Sequence, residues 1–419
     1  MFNRRRLSIR KYLSIKNAVI VTIIVGICFI ATSIITTIAL KNKVQNSTIV
    51  YKADRNDNEK QDVGIADTNA SNDESSNNSN EIDEEVIAAL NNLDESNKKE
   101  DTNISDIDNG RMSICILGEI MMGGQVTDNL NYMYSSAFRR IYSEVRDSDF
   151  TYANFSTNIT NLEKIENAKS KYLVTKDVVN GLNALGMDCV SIASDHMVDY
   201  DSDILNNTIN TLEENDVFVA GRKDMPVYFE KGDKKIAIVS TNAVFIGTAK
   251  NYDKDNISVY DKENLEKNIK EAKESADIVI ADIHWGREYV YGVTSQMKEI
   301  AKAAIDSGAD MVIGSHAAGV YPIVKYNDKP IIYSTGYFIG DSDLHVGKES
   351  FIFDIEISKD KKIDKINMTP TYIVDKKEVL KYQDYDLEKA NSYLEQFNNW
   401  QVQNSLDSSI VDGKIVIKL

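Results

Sequence analysis

The sequence predicts an α/β domain with a mixed sheet. From Met112 onward, short apolar runs alternate with stretches of helical periodicity. Within that alternation, residues 276–316 form one compact strand–helix–strand stretch with a histidine at the end of each strand. Ile278, Val279, Ile280 and Ile283 make an apolar run ending at His284, the pattern of a buried strand. Thr294 or Ser295 is placed to cap a helix in which Met297, Ile300, Ala301, Ala304 and Ile305 share a face. Gly308 stops that helix, and Met311-Val312-Ile313 opens a second strand ending at Gly314-Ser315-His316. A unit of this length is βαβ, so its strands run parallel. Both then deliver a histidine at the carboxyl end, where open α/β sheets place their sites. With four histidines in 419 residues, two in equivalent positions are a signal.

Taken in order, the chain opens with a basic tail, residues 1–17, carrying Arg4, Arg5, Arg6, Arg10, Lys11 and Lys16. Ala18 to Leu40 is 23 residues without a charge, enough to cross a hydrocarbon core of about 30 Å. The flanking bases predict a single-pass anchor with its N-terminus in the cytoplasm and the main domain outside the cell membrane. A cleaved signal peptide is the competing reading, but the run is long and no A-x-A site follows it. Residues 41–111 read as an acidic disordered linker: 51–110 alone hold 17 acids against five bases and almost no aromatics. Of the net charge of -17, residues 111–419 keep -13, which argues against nucleic acid gripped by a basic surface. A metal-bridged anion stays compatible. Cys28 falls in the span, and Cys115 and Cys189 fall in predicted strands, as free buried thiols rather than a disulfide framework.

The folded domain is expected over 112–374, with a C-terminal extension at 375–419. Ser113–Leu117 is a compact strand running into Gly118-Glu119, and residues 149–155 make another strand-to-loop transition. A helix at 177–186 ends on Gly186, and Asp188–Ala193 is a strand breaking into Ser194-Asp195-His196. A helix follows over Ser202–Glu214, then strands at Val217–Ala220 and Lys235–Ser240 and a charged helix near Asp261–Ser275. Beyond the central unit come strands near Val320–Lys325, Pro330–Ser334 and Phe351–Ile357. The extension holds a helix at Asp386–Trp400 and an apolar end strand at Ile415–Leu419.

Strand ends thus present Glu119, Asn154, Asp195 with His196, and the pair His284 and His316. Carboxylates, an amide and imidazoles at one sheet edge are the ligand set of a divalent metal such as Mn, Zn or Fe. Two such ions can orient a phosphoester and activate water. A single strand-end histidine is more often a hydrogen-bonded structural residue; three at strand ends shift the balance toward a site. His345, in a polar loop after Asp341 and Asp343, reads as exposed.

The order Gly118-Glu119-Ile120-Met121-Met122, Ala193-Ser194-Asp195-His196-x-x-Asp199-Tyr200, His284-Trp285-Gly286-x-Glu288-Tyr289, Gly308-Ala309-Asp310-x-Val312-Ile313-Gly314-x-His316 and Tyr333-Ser334-x-Gly336-x-Phe338 resembles the CapA-type poly-γ-glutamate capsule biosynthesis proteins, of the calcineurin-like metallophosphoesterase superfamily. The resemblance covers about Met112 to Asp341. It implies a four-layer α/β/β/α sandwich with its site at the strand ends. It implies Glu119, Asp195, His284 and His316 as metal ligands, His196 and His284 as catalytic groups, and Asn154, Asp199 and Glu288 on the substrate side. As partners it implies the membrane, other polymer-synthesis subunits and an anionic γ-linked glutamate polymer.

The chain departs from the pattern where ligands are expected. The family usually has Gly-Asp at Gly118-Glu119, Asn-Leu-Glu at Asn154-Phe155-Ser156 and Asn-Asn-His at Ser194-Asp195-His196. It has His-Pro-His at His316-Ala317-Ala318, so an imidazole is missing here, and Gly-Asn-Phe at Gly336-Tyr337-Phe338. Metal sites tolerate little displacement of their ligands. These departures imply a degenerate centre in an accessory protein of capsule synthesis or export; the alternative is an active metal-dependent phosphoesterase or hydrolase outside the membrane.

Overall fold

The computed structural model describes residues 49–52, 110–163, 165, 172–223, 225–244 and 256–419. The span expected at Ala18–Leu40, with Cys28, lies outside them. So does the linker expected at 41–111, apart from a short strand at Ile49–Lys52 and residues 110–111. Among the described residues no helix is long and apolar enough to cross a membrane.

The domain is a mixed α/β sandwich of two large sheets, with two two-stranded ribbons beside them, Glu119–Ile120 with Tyr337–Ile339 and Asn158–Thr160 with Leu173–Thr175. The first runs Asp407–Val411, Lys414–Lys418, Ile363–Val374, Glu349–Ile357, Met112–Ile116, Phe150–Asn154, Cys189–Ser191 and Phe218–Ala220, with Glu378–Lys381 also on Ile363–Val374. Its half from Met112–Ile116 to Phe218–Ala220 is parallel, and its other half is antiparallel. In the second sheet Lys234–Asn242, Ile278–His284, Met311–Ser315 and Lys329–Ile332 are parallel, flanked by antiparallel Val227–Lys231 and Ile323–Tyr326. The two strands of the central unit are therefore parallel neighbours, with His284 opposite Ser315.

Period-two alternation sorts the side chains into layers. Ile114, Ile116 and Phe150 of the first sheet pack against Phe229, Ile236, Ile238, Ile278 and Ile280 of the second. The Phe150 and Phe229 rings stack across that interface at 3.5 Å between centroids. On the outer face of the first sheet, Leu117, Val190 and Val219 meet helices Val178–Leu185 and Ser202–Glu214 through Val178, Leu182, Leu205 and Ile209. On the outer face of the second, Val279, Ala281 and Val312 meet helices Lys262–Ser275 and Ser295–Asp306 through Leu265, Ile269, Ile300 and Ala304. The order is helices, sheet, sheet, helices.

Local chemistry starts and stops the helices where expected. Asp201, Asp261 and Thr294 accept the Ile204, Asn264 and Met297 backbone N–H at 3.1, 3.0 and 3.2 Å. Gly186 closes its helix at φ 71°. The extension at 375–419 completes the first sheet, while Tyr393, Leu394 and Phe397 of helix Leu387–Gln403 enter the inter-sheet core. The strand Ile363–Val374 escaped the sequence reading because polar residues and Pro370 interrupt it, and proline usually marks an edge. Pro370 is tolerated because it stands in a gap: Lys414–Lys418 pairs as far as Met368, and Glu378–Lys381 begins at Thr371.

Candidate metal centre

Because Ile278 and Ile280 face the sheet interface, Asp282 and His284 face it too. The interface therefore turns polar toward the carboxyl ends of the strands. Tyr152 of the first sheet donates its hydroxyl to Asp282 Oδ2 at 2.7 Å and lies 2.9 Å from Ser240 Oγ. Burial pushes the Asp282 carboxyl up, against the hydroxyls that bond it. One step further along is the cluster of Asp195, His284 and His316.

Asp195 opens the one-turn segment Asp195–Val198 after strand Cys189–Ser191. Its Oδ1 lies 2.9 Å from His284 Nε2 and 3.7 Å from His316 Nδ1, and its Oδ2 lies 3.9 Å from His196 Nε2. The His284 and His316 ring centroids are 4.9 Å apart. His284 Nδ1 is 2.9 Å from Ser315 Oγ. His196 Nδ1 is held by Asp199 Oδ2 at 2.9 Å, its ring stacks on Tyr172, and its carbonyl accepts from Asn158 Nδ2 at 2.7 Å.

His316 adopts φ 86°, a left-handed conformation that non-glycine residues seldom occupy. Glu119 holds it there: Oε2 accepts the His316 backbone N–H at 3.1 Å, and Oε1 accepts the Ser156 hydroxyl. Ser156 Oγ also lies 3.0 Å from Asn154 Oδ1, while Asn154 Nδ2 is buried with no partner among the described residues. Gly314 is required one step before Ser315, since a Cβ there would meet the Trp285 indole nitrogen and the Tyr333 carbonyl, each at 2.3 Å. That indole donates to Tyr333 O at 2.8 Å, fixing the residue after His284.

The electrostatics follow this packing. Burial opposes ionisation of Asp195, but the His284 hydrogen bond and the charges of His284, His196 and His316 outweigh it and hold the carboxyl well below the usual range. Burial also opposes protonation of His284, yet Asp195 and Glu119 raise it. His196 is raised likewise by Asp199 and Asp195 against its burial. His316, buried and beside His284, is held down to about 4. Glu119 is pushed up by burial, against the lowering by His284 and Ser156.

One oxygen and two imidazole nitrogens, all within 4.8 Å of one another, come from Asp195, His284 and His316. Ligand bonds of about 2.0–2.2 Å put donor atoms roughly 3.3 Å apart around a four-coordinate ion, so this set fits one divalent ion. Its mixed oxygen and nitrogen chemistry suits Zn, Mn or Fe. Of the other expected residues, Glu119 adjoins the cluster through the His316 backbone, Asn154 joins Glu119 through Ser156, and Asp199 reaches the cluster through His196. Glu288 accepts the Tyr337 hydroxyl at 2.6 Å. Ala318, where the resemblance implies an imidazole, is buried in an apolar cluster with Met121, Tyr337 and Ile373. His345 is exposed and pairs with Glu349 at 3.1 Å. Sequence reading missed Ser315, Tyr172 and Asp282. A serine in a Gly-Ser-His end carries no periodic signal, and Asp282 sat inside an apolar run.

Residues 113–342 match the family described as bacterial capsule synthesis protein PGA_cap. The chain is similar to the capsule biosynthesis protein CapA of Bacillus anthracis, 27% identical over 58% of this chain and 63% of that one. It therefore spans less than two thirds of that relative. It is also 27% identical to the PGA biosynthesis protein CapA of Bacillus subtilis, over 59% of this chain and 68% of that one. Among solved structures, the NAD nucleotidase of Haemophilus influenzae is similar at 11% identity with a TM-score of 0.39, over 68% of this chain and 62% of that one.

Proposed function

Because the chain belongs to the bacterial capsule synthesis protein family PGA_cap, we propose that it is an accessory subunit of capsular polymer assembly. It supports synthesis or export of an anionic polymer of the poly-γ-glutamate type, beside other synthesis subunits. Ala18–Leu40 anchors it with the domain outside the cell, a reading supported by the uncharged span and its basic flank. Its metal centre is degenerate and takes one ion. The observation that carries this is Glu119: both carboxylate oxygens already accept hydrogen bonds, from Ser156 and from the His316 backbone. The carboxylate that would open a second ion site instead braces the first. Elemental analysis of the dialysed full-length chain after loading with Zn, Mn or Fe tests it: one ion per chain is expected, and two would overturn it. Protease shaving of intact cells should release the domain; protection until lysis would reject the orientation.

A second reading, an extracellular metal-dependent phosphoesterase or hydrolase, is favoured by the His196–Asp199 pair and by the Asn154 amide, which has no partner among the described residues. An oriented imidazole and a free donor beside an ion could protonate a leaving group and bind an oxyanion. Turnover of an aryl phosphodiester by the unaltered protein, lost in His284→Ala, would establish it. Negligible turnover, with loss of surface polymer on deleting the chain, supports the accessory role.

A further inference from the structure

His284 is fully buried and touches a different partner at each ring nitrogen. Nε2 faces Asp195 Oδ1 and Nδ1 faces Ser315 Oγ, both at 2.9 Å. Ser315 is only 2% exposed, and backbone pairing fixes it opposite His284 across the two parallel strands. A neutral imidazole carries one N–H, and an ion can bind only the nitrogen without it. Before an ion enters, the Asp195 carboxylate draws a proton to Nε2. For Nε2 to become a ligand, the remaining proton must sit on Nδ1, buried where only a protein acceptor can receive it. A hydroxyl serves both states, since it donates to a bare Nδ1 and accepts from Nδ1–H. A carbonyl could only accept.

We propose that Ser315 is the positioning residue of the centre: it lets His284 present Nε2 to an ion by accepting a hydrogen bond from Nδ1–H. The inference rests on the one-ion reading above. Asp199 occupies the matching place on His196 Nδ1. The Ser315 contact differs in being neutral, so it adds no second negative charge beside Asp195.

The test compares zinc binding by the full-length wild type, Ser315→Ala and Ser315→Thr, using zinc alone as the probe. Loss of an outer partner typically weakens metal affinity by 10–100-fold, so Ser315→Ala should fall by about tenfold or more and Ser315→Thr should recover most of it. Nitrogen NMR of the histidines supplies a readout that a purely structural role would not move. In the zinc-loaded wild type, His284 should carry its proton on Nδ1 with Nε2 on the ion. Equal zinc affinity in Ser315→Ala, or zinc on Nδ1 of His284, would overturn the inference while leaving the one-ion centre standing. No zinc binding by the wild type would overturn both. An unchanged melting temperature of ion-free Ser315→Ala separates lost positioning from lost folding.

Discussion

On the second sheet, His284 and Ser315 end neighbouring parallel strands and His316 follows at once, so two imidazoles meet the Asp195 carboxylate. On the other flank, Asn154 ends a strand of the first sheet, Ser156 follows it, and Glu119 sits in the small ribbon with Tyr337–Ile339, but their polar atoms bond mostly to one another and to the His316 backbone. The two flanks share a location and differ in satisfaction. A buried carboxylate whose oxygens are both accepting is a structural brace, whereas one facing imidazole nitrogens is a ligand waiting for a cation. Residue type and position alone do not separate the two cases.

The second-sheet side is the more easily disrupted. His284→Ala removes a ligand outright and should weaken zinc binding beyond the roughly 10–100-fold expected for an outer partner, measured by titration calorimetry. Unchanged affinity would place the ion elsewhere. The pH dependence comes next. His284 is raised, so as pH falls through its shifted pKa, from above the ordinary value of about 6.5, a proton increasingly competes with the ion. Affinity should fall about tenfold per pH unit there, one proton being displaced per ion. His316, held down to about 4, stays neutral throughout that range and adds no second proton. A slope of two protons per ion would show that His316 is not the neutral ligand described.

How far these flanks were legible in the sequence depends on what each residue does. The βαβ unit was legible because apolar periodicity, Thr294 and Gly308 all point to the same elements, and its parallel pairing then brings two strand ends together. Asp195 could be placed near them because it too follows an apolar strand. The bracing role of Glu119 was not legible, since it depends on a contact 197 residues away with the backbone of His316. Nor was the fate of position 318. A missing imidazole reads in sequence as an open coordination site, but the structure packs Ala318 into an apolar cluster with Met121 and Tyr337.

Ala318→His probes that position directly. Inserting an imidazole into a closed apolar cluster should cost about 1–3 kcal/mol through overpacking, read as a lower melting temperature. The ion count should stay at one. A second ion without loss of stability would mean that the first-sheet flank is still a working half-site.

The smallest expected effect is the most discriminating. In Glu119→Gln the side chain keeps its shape, and its carbonyl can accept the His316 N–H as Oε2 does now. The new amide would face Ser156, whose oxygen can accept from it while its hydroxyl proton turns to the Asn154 oxygen. Because burial already raises the Glu119 carboxyl, losing its charge removes a desolvation cost that offsets the weaker hydrogen bonds. The net change in stability should therefore stay within about 1 kcal/mol. If Glu119 is a brace, zinc affinity should change by less than about threefold, since a hydrogen bond to the His316 backbone survives. If Glu119 is a ligand, an amide in place of a carboxylate should cost far more, because a hard divalent ion binds the charged oxygen preferentially. A large drop in affinity with an unchanged melting temperature would move Glu119 from the braced flank to the binding one, and the two sides of the site would have to be treated as one centre.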